Sequence, residues 1–176
     1  MTREKPKSVQ SKLENKIPEN KPLVGILMGS ASDAGQMEGA RKILSEFGVA
    51  CEFKVLSAHR TPDETLRYVE TAYDRGIQVI IAGAGGAAHL AGIAAANTTL
   101  PVIGVPLKSN ALDGIDSLLS TMQMPTGVPV ATVAIDGATN AGILALRILG
   151  IKYPEIRKKL SDYREKLRRK VLNSKV

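Results

Sequence analysis

The chain has 176 residues, which is enough for one domain with a sizeable buried core. Its single cysteine and two histidines exclude an internal disulfide framework and give no metal-ligand spacing, so we expect no metal site. The net charge of +7 lies mainly in residues 152–176, which hold ten basic and three acidic residues. Because few aromatic residues are present to stack on bases, this charge argues against a nucleic-acid partner.

The N-terminal residues 1–21 are too polar to bury a core and are predicted to form a disordered tail. They contain no apolar run of the kind that secretory signals have. The longest apolar stretch, residues 79–96, is mostly Gly and Ala and is too weakly hydropathic to span a membrane. We therefore expect a cytoplasmic protein with no membrane partner.

Between residues 22 and 150, short apolar runs alternate with helical patterns. The runs are typical of buried strands, and the helical patterns repeat their apolar residues every three or four positions. Strands are predicted over residues 23–28, 51–56, 78–82, 101–105 and 129–135. The helices between and after them are predicted to end near residues 48, 73, 97, 123 and 149.

The segment after the second predicted strand carries the signals of a helix start. Thr61 is predicted as the N-cap, Pro62 suits the first helical position, and Glu64 completes a capping box. The apolar stripe of this helix is predicted to comprise Leu66, Val69 and Tyr73.

Five strands that alternate with helices indicate an α/β domain, residues 22–150, whose parallel sheet is covered on both faces. A three-layer, flavodoxin-like, doubly wound order is favoured, and a six-stranded variant is the alternative. Residues 151–176 form a predicted C-terminal amphipathic helix, which can either dock on a neighbouring subunit or pack on its own domain. Its apolar stripe comprises Ile156, Leu160, Tyr163, Leu167 and Val171.

Notable polar residues follow the predicted strands, at the edge where parallel α/β sheets bind ligands. Ser30, Ser32 and Ser57 can donate hydrogen bonds to phosphate or carboxylate oxygens. Arg60 offers a planar positive group that suits an oxyanion. Asp33 can accept from sugar hydroxyls, although a plain helix N-cap explains it as well. These loops are expected to converge on a phosphate-bearing small molecule.

His59 suits proton transfer, because an imidazole can give and take a proton near neutral pH, but it can also be a structural loop histidine. His89 can contact a ligand or play a structural role, and Lys108 can contact an anion or stay solvated. The glycines within residues 83–86 allow a ligand to approach closely, although a tight turn also explains them. The sequence contains no dinucleotide-binding, P-loop or Gly-x-Ser-x-Gly pattern.

Five segments resemble one enzyme family in order and spacing. They are MGSASD at 28–33, SAHRTP at 57–62, IIAGAGGAAHL at 80–90, PVIGVP at 101–106 and QMPTGVPVATVAI at 123–135. Over about residues 23–150 the chain resembles the N5-carboxyaminoimidazole ribonucleotide mutases, the PurE-type enzymes. The resemblance implies a flavodoxin-like fold, a homo-octamer with sites at subunit junctions, a small-molecule ribonucleotide substrate, and no metal or organic cofactor.

The resemblance also implies roles for the candidate residues. His59 would be the general acid/base. Ser32, Ser57 and Arg60 would hold the substrate phosphate. Asp33 would hold the ribose hydroxyls.

The remaining expected substrate contacts lie at the imidazole end of the ligand. Ser30 and the Gly85–Gly86 turn would hold the migrating carboxylate, and His89 would line the imidazole. Ala58 and Ala84 complete the expected contacts from the same loops.

The implied activity converts N5-carboxyaminoimidazole ribonucleotide to 4-carboxyaminoimidazole ribonucleotide in de novo purine biosynthesis. His59 would protonate the ring carbon as the N-carboxylate leaves as CO2, and would remove a proton from that carbon as it attacks the trapped CO2. A direct CO2-dependent aminoimidazole ribonucleotide carboxylase is the alternative within the family, and Arg60 and His89 favour the mutase. A non-catalytic nucleotide- or flavin-binding module is the alternative outside it, but the strand-end loops lack aromatic residues to pack a flavin.

Three places depart from the pattern of that family. Ala34 stands where bacterial members usually have Trp, and Ala91 stands where they usually have Pro. Residues 136–139 also differ from the expected segment. None of these departures removes a proposed catalytic group.

Overall fold

The computed structural model describes residues 16–19 and 21–174. The predicted disordered tail, residues 1–21, lies mostly outside this part of the chain. The strands in the described residues are β1 (Val24–Met28), β2 (Cys51–Val55), β3 (Val79–Gly85), β4 (Val102–Leu107) and β5 (Ala131–Thr132).

Helices follow the strands in the alternation that the sequence predicts. A short 3-10 turn at Ala31–Asp33 precedes the first of them. The helices of the described residues are α1 (Ala34–Glu46), α2 (Pro62–Glu70), α3 (Leu90–Ala96), α4 (Ile115–Met122), α5 (Ala138–Lys152) and α6 (Pro154–Leu172). None of these helices is both long and apolar enough to cross a bilayer.

The strands form one parallel sheet in the order β2-β1-β3-β4-β5. This order within the described residues confirms the flavodoxin-like prediction and rejects the six-stranded alternative. Because every pairing is parallel, the loops that follow the strands emerge at the same edge of the sheet. That edge is where the candidate polar residues were expected to meet.

Two hydrophobic cores lie on opposite faces of the sheet. The first packs α1, α5 and α6 against strand residues such as Ile26 and Ile81. The second packs α2 and α3 against residues such as Leu27 and Ile80. The helix α4 also lies on the second face, since a Cβ placed on Gly104 of β4 would collide with Thr121 of that helix. The predicted three-layer α/β fold is therefore confirmed.

The C-terminal helix α6 packs on its own domain in its first half. Ile156 is fully buried, and the Tyr163 ring meets the edge of Phe47 with a centroid distance of 5.8 Å. In the second half Leu167 and Val171 are exposed. Docking of this second half on a neighbouring subunit stays a prediction.

The predicted start of α2 is confirmed in position, with Thr61 as the N-cap residue and Pro62 first in the helix, but the predicted capping box is wrong. The Thr61 side chain makes no cap bond to α2, because its hydroxyl is bound instead to the backbone of Ser57. The predicted stripe is also wrong at Tyr73, which is 70% exposed. The helix ends at Glu70, so the helical period does not extend to Tyr73, and Ala72 is buried in its place.

Two strands differ in length from their predictions by more than one residue. The third continues through the glycine-rich segment to Gly85, because Ala84 and Gly85 pair with the end of β4. The fifth, predicted over 129–135, is reduced to Ala131–Thr132. Since Pro106 of β4 has no N–H to offer, regular pairing cannot continue along that edge, and the chain leaves the ladder.

The crossing of α1 and α5 gives a testable packing prediction at Gly142. A Cβ at this position would collide with Ile43 and stand 3.1 Å from the Ala40 carbonyl oxygen of α1. Because a backbone atom cannot yield, we expect Gly142→Ala to lower the free energy of unfolding by about 1–3 kcal/mol. Gly35→Ala is the matched control, since nothing lies within 4 Å of its Cβ. Urea denaturation measures both, and equal midpoints would contradict the close crossing.

Candidate active site

A cavity of about 520 Å³ lies at the carboxyl edge of the sheet. It is formed by the loops that follow β1, β2, β3 and β4, so four separate stretches of chain meet there as the sequence predicts. Its lining residues are Gly29, Ser30, Asp33, Ser57, Ala58, His59, Arg60, Ala84, Gly85, Ala87, His89, Leu90, Lys108 and Ser109.

Nine of the eleven predicted site residues line this cavity, and Ser32 and Gly86 do not. The Ser32 hydroxyl lies 2.8 Å from Ser30 Oγ and 3.3 Å from an oxygen of Asp33, so it is engaged within its own loop. Gly86 has a φ of +62°, in the left-handed region that favours glycine. Its structural contribution is therefore the shape of the turn.

The loop after β1 is held by a reciprocal pair of hydrogen bonds. The backbone N–H of Ser30 donates to Asp33 Oδ2 at 3.1 Å, and the backbone N–H of Ser32 donates to Ser30 Oγ at 3.3 Å. This is a capping box on the 3-10 turn that precedes α1. Asp33 makes no side-chain cap bond to α1 itself. One edge of its carboxylate is thus used locally while the residue still lines the cavity.

The loop after β2 is closed by Thr61. Its Oγ1 accepts from the Ser57 N–H at 2.9 Å and donates to the Ser57 carbonyl oxygen at 3.1 Å. The backbone N–H of Thr61 donates to the same carbonyl at 2.9 Å. These bonds form a tight turn that presents His59 and Arg60 at its tip.

Arg60 joins the second loop to the first. Its Nη2 donates to the Gly29 carbonyl oxygen at 2.6 Å, and its Nε lies 3.4 Å from Ser57 Oγ. The backbone N–H of Arg60 also donates to Ser57 Oγ at 3.2 Å. A guanidinium held in this way keeps a fixed direction, and its remaining N–H groups can bind an anion in the cavity.

His59 and His89 meet across the cavity although 30 positions separate them. The distance between His59 Nε2 and His89 Nδ1 is 2.8 Å, and the rings are nearly perpendicular at 88°. One nitrogen must donate and the other accept, so this hydrogen bond joins the second and third loops. His89 occupies the N-cap position of α3 and makes no cap bond, so its side chain is available to the cavity.

The loop after β4 adds a wall that the sequence only partly predicts. Lys108 was weighed as an anion contact or a solvated lysine, and it lines the cavity together with Ser109. Its Nζ lies 3.0 Å from Asp113, whose hydrogen bond and charge raise the pKa of Lys108. Ser109 Oγ is bound to the Asp116 carboxylate at 3.0 Å. The signal in the sequence for both residues is their position directly after the fourth strand, where ligands bind in parallel α/β sheets.

Three further lining residues, Gly29, Ala87 and Leu90, carry no chemical signal in the sequence. They contribute backbone or apolar surface next to the predicted groups. In the part of the chain that the structure describes, no group of three or more His, Cys, Asp and Glu side chains lies together as a metal site would require. The cavity thus combines one histidine pair, two cationic side chains and several hydroxyls.

Comparison with known protein families finds one family that matches most of the chain. Residues 23–170 match the AIR carboxylase family. The chain belongs to the AIR carboxylase family. The N5-carboxyaminoimidazole ribonucleotide mutase of Pyrococcus horikoshii is 65% identical to this chain over 151 residues. These residues are 86% of this chain and 85% of that protein. Two further relatives with the same mutase name are 61% and 59% identical.

The AIR carboxylase family also includes a solved structure and longer proteins. In its crystal structure, Treponema denticola PurE superposes on this chain with a TM-score of 0.78. The match covers 86% of this chain and 94% of that chain, with 32% sequence identity. The phosphoribosylaminoimidazole carboxylase of Schizosaccharomyces pombe is 54% identical over 93% of this chain but only 30% of its own length. The carboxylase name therefore describes a protein that is much longer than the matching part.

The Thr61 turn gives a prediction that isolates its two side-chain hydrogen bonds. Thr61→Val keeps the shape of the side chain but cannot accept from or donate to Ser57. We expect it to lower the free energy of unfolding by about 1 kcal/mol, since the half-buried Ser57 N–H loses its acceptor while the Ser57 carbonyl keeps the Thr61 N–H. Thr61→Ser keeps the hydroxyl and should stay close to the parent protein in the same denaturation experiment. If the valine variant is as stable as the serine variant, the turn does not depend on these bonds.

Proposed function

We propose that this protein is an N5-carboxyaminoimidazole ribonucleotide mutase of de novo purine biosynthesis. It converts N5-carboxyaminoimidazole ribonucleotide to 4-carboxyaminoimidazole ribonucleotide. The observation that carries the proposal is the contact between His59 and His89 inside a cavity that also presents Arg60. The mutase names of relatives 59–65% identical to this chain support the same reaction.

The phosphate of the nucleotide binds at the junction of the first two loops. Arg60 is already oriented there by the Gly29 carbonyl, and the Ser57 hydroxyl lies beside it. A fixed guanidinium loses little side-chain freedom when it binds phosphate, which favours affinity. Ser32 joins these contacts when its hydroxyl turns away from Ser30. Asp33 accepts from the ribose hydroxyls.

The imidazole end of the nucleotide lies between the second and third loops. His59 faces the reacting atoms, with Ala58 and Ala84 beside it. Ser30 and the Gly85–Gly86 turn hold the migrating carboxylate, where the absence of side chains on the glycines lets the ligand reach backbone N–H groups.

The reaction needs one proton carrier and a trapped CO2. In net terms the carboxylate moves from the exocyclic nitrogen to the ring carbon, and one proton moves in the opposite direction. An imidazole can deliver and recover this proton in one cycle without any other acid or base. His59 takes this role, and His89 orients its ring through the 2.8 Å contact. Holding CO2 against the ring carbon supplies most of the rate advantage, since escape to solvent ends the cycle.

The test of the function supplies each substrate separately to the purified protein. A mutase forms 4-carboxyaminoimidazole ribonucleotide from the N5-carboxylated nucleotide without added bicarbonate. The direct carboxylase, the second candidate and the activity in the name of the fungal relative, forms it from aminoimidazole ribonucleotide and CO2. If the protein turns over only the non-carboxylated nucleotide with CO2, its activity is that of the carboxylase and not of the mutase. If the purified protein is colourless and catalyses turnover, it is not a non-catalytic flavin-binding module.

The role of His59 predicts the behaviour of His59→Asn. The amide keeps much of the ring's shape but cannot exchange a proton, so turnover should fall by at least about a hundredfold, the usual contribution of acid–base catalysis. Nucleotide binding should change little, and isothermal titration with the product measures it. Substantial residual turnover in a correctly folded variant would mean that another group carries the proton.

We include in the proposal a cytoplasmic homo-octamer with sites at subunit junctions. His59, Arg60 and His89 are exposed in the single chain, whereas retention of CO2 requires a closed cavity. A row of apolar side chains along α4 and the loop before it is also exposed, next to the Lys108–Ser109 wall. These side chains, 46–60% exposed, are Leu112, Ile115, Leu119 and Met122.

This apolar row predicts how the assembly can be broken. Leu119→Asp places a charge in the row and should dissociate the octamer and lower turnover together, because a buried unpaired charge is costly. Tyr73→Asp is the control, since Tyr73 is a large side chain that is more exposed than Leu119 but lies on the turn after α2. Sedimentation velocity reports the mass, and cell fractionation tests the location. A monomeric parent protein with full turnover would contradict the shared site.

A further inference from the structure

Asp136 adopts an unusual backbone conformation between β5 and α5. Its φ is +55°, in the left-handed region that few residues other than glycine enter. Asp and Asn tolerate this region better than other side chains, because their short polar groups can bond locally. The backbone N–H of Asp136 also donates to the Pro106 carbonyl oxygen of β4 at 2.9 Å. The residue is therefore fixed against the edge of the sheet that carries the cavity.

One carboxylate oxygen of Asp136 receives two hydrogen bonds from different parts of the chain. The backbone N–H of Lys108 donates to Asp136 Oδ1 at 3.0 Å, and the side-chain amide of Gln36 donates to the same oxygen at 2.9 Å. Lys108 is the first residue after β4 and lines the cavity. Gln36 lies in the first turn of α1, directly after the Ser30–Asp33 loop. A single oxygen thus connects the two walls that flank the cavity.

The other polar contacts of the Lys108–Ser109 wall reach in a different direction. Lys108 Nζ pairs with Asp113 at 3.0 Å, and Ser109 Oγ binds the Asp116 carboxylate. Asp113 lies in the loop before α4 and Asp116 lies in α4, so both contacts join the wall to the segment that directly follows it in the chain. The Asp136 oxygen instead joins the wall to α1 across the sheet edge.

We propose that Asp136 is a positioning residue for the mutase reaction. By accepting from the Lys108 N–H and the Gln36 amide, it sets the distance between the Lys108–Ser109 wall and the Ser30–Asp33 loop. The substrate is an anion that must fit between these walls, so the spacing decides how well the nucleotide is bound. This inference rests on the proposed function, because it assumes that the nucleotide occupies the cavity at the strand ends.

A purely structural turn makes a different prediction from a positioning residue. If Asp136 only had to adopt a positive φ, glycine would replace it without loss and with less strain. If its oxygen matters, glycine and alanine both fail, and asparagine, which keeps an amide oxygen and tolerates the same φ, restores function. The three substitutions therefore separate backbone strain from the hydrogen-bond acceptor.

The experiment compares Asp136→Gly, Asp136→Ala and Asp136→Asn in the full chain with the N5-carboxylated nucleotide as substrate. We expect the glycine and alanine variants to raise KM about tenfold while kcat falls less than threefold, as the loss of one hydrogen-bond acceptor that anchors both walls implies. The asparagine variant should stay within about twofold of the parent KM. A glycine variant with the parent KM, or an asparagine variant as impaired as glycine, would overturn the proposal.

A second measurement does not depend on turnover. Amide hydrogen exchange of the segment 107–113 should be faster in the glycine and alanine variants and unchanged in asparagine, because the Lys108 N–H loses its acceptor only in the first two. His59→Asn, assayed in parallel, separates the two levels of inference. If His59→Asn is inactive and the Asp136 series shows no change in KM, the positioning role fails while the proposed function stands. If His59→Asn remains fully active, the proposed site itself fails.

Discussion

The parallel pairing of β1, β3 and β4 is the constraint on which the rest of the structure depends. Register between these strands places their carboxyl ends at one edge of the sheet, so that loops far apart in sequence become neighbours. Burial on both faces keeps this register, because a shift by one residue would move the side chains of a strand from the core that they fit to the opposite core. The cavity is the gap that remains where the loops diverge from the sheet.

Hydrogen bonds between loops turn this shared edge into a site of fixed shape. The Arg60 guanidinium reaches the Gly29 carbonyl, and the imidazole of His59 reaches His89. Each contact joins consecutive strand-end loops, so the groups proposed to bind an anion and to move a proton hold each other in place. Preorganisation of this kind reduces what the protein must rearrange when the nucleotide arrives.

The chemistry of the site is sparse, and this fits an isomerisation that neither gains nor loses atoms. A hydrogen-bonded pair of imidazoles and two cationic side chains around the cavity match a substrate that carries a phosphate and a carboxylate. The same sparseness makes geometry decisive, because CO2 has no charge by which the protein could hold it strongly. We therefore propose that turnover depends on the spacing between the walls and on closure of the open cavity by a neighbouring subunit.

The sequence by itself determined the layer order and most of the site, because both rest on local signals. Apolar runs and helical periods define the elements, and polar residues directly after strands identify His59 and Arg60 as candidates. Tertiary structure decided which of those residues meet, because their partners are distant in the sequence. His59 meets His89, 30 positions away, and the Lys108 N–H binds Asp136, 28 positions away. Such contacts depend on how the strands are ordered, which no local pattern records.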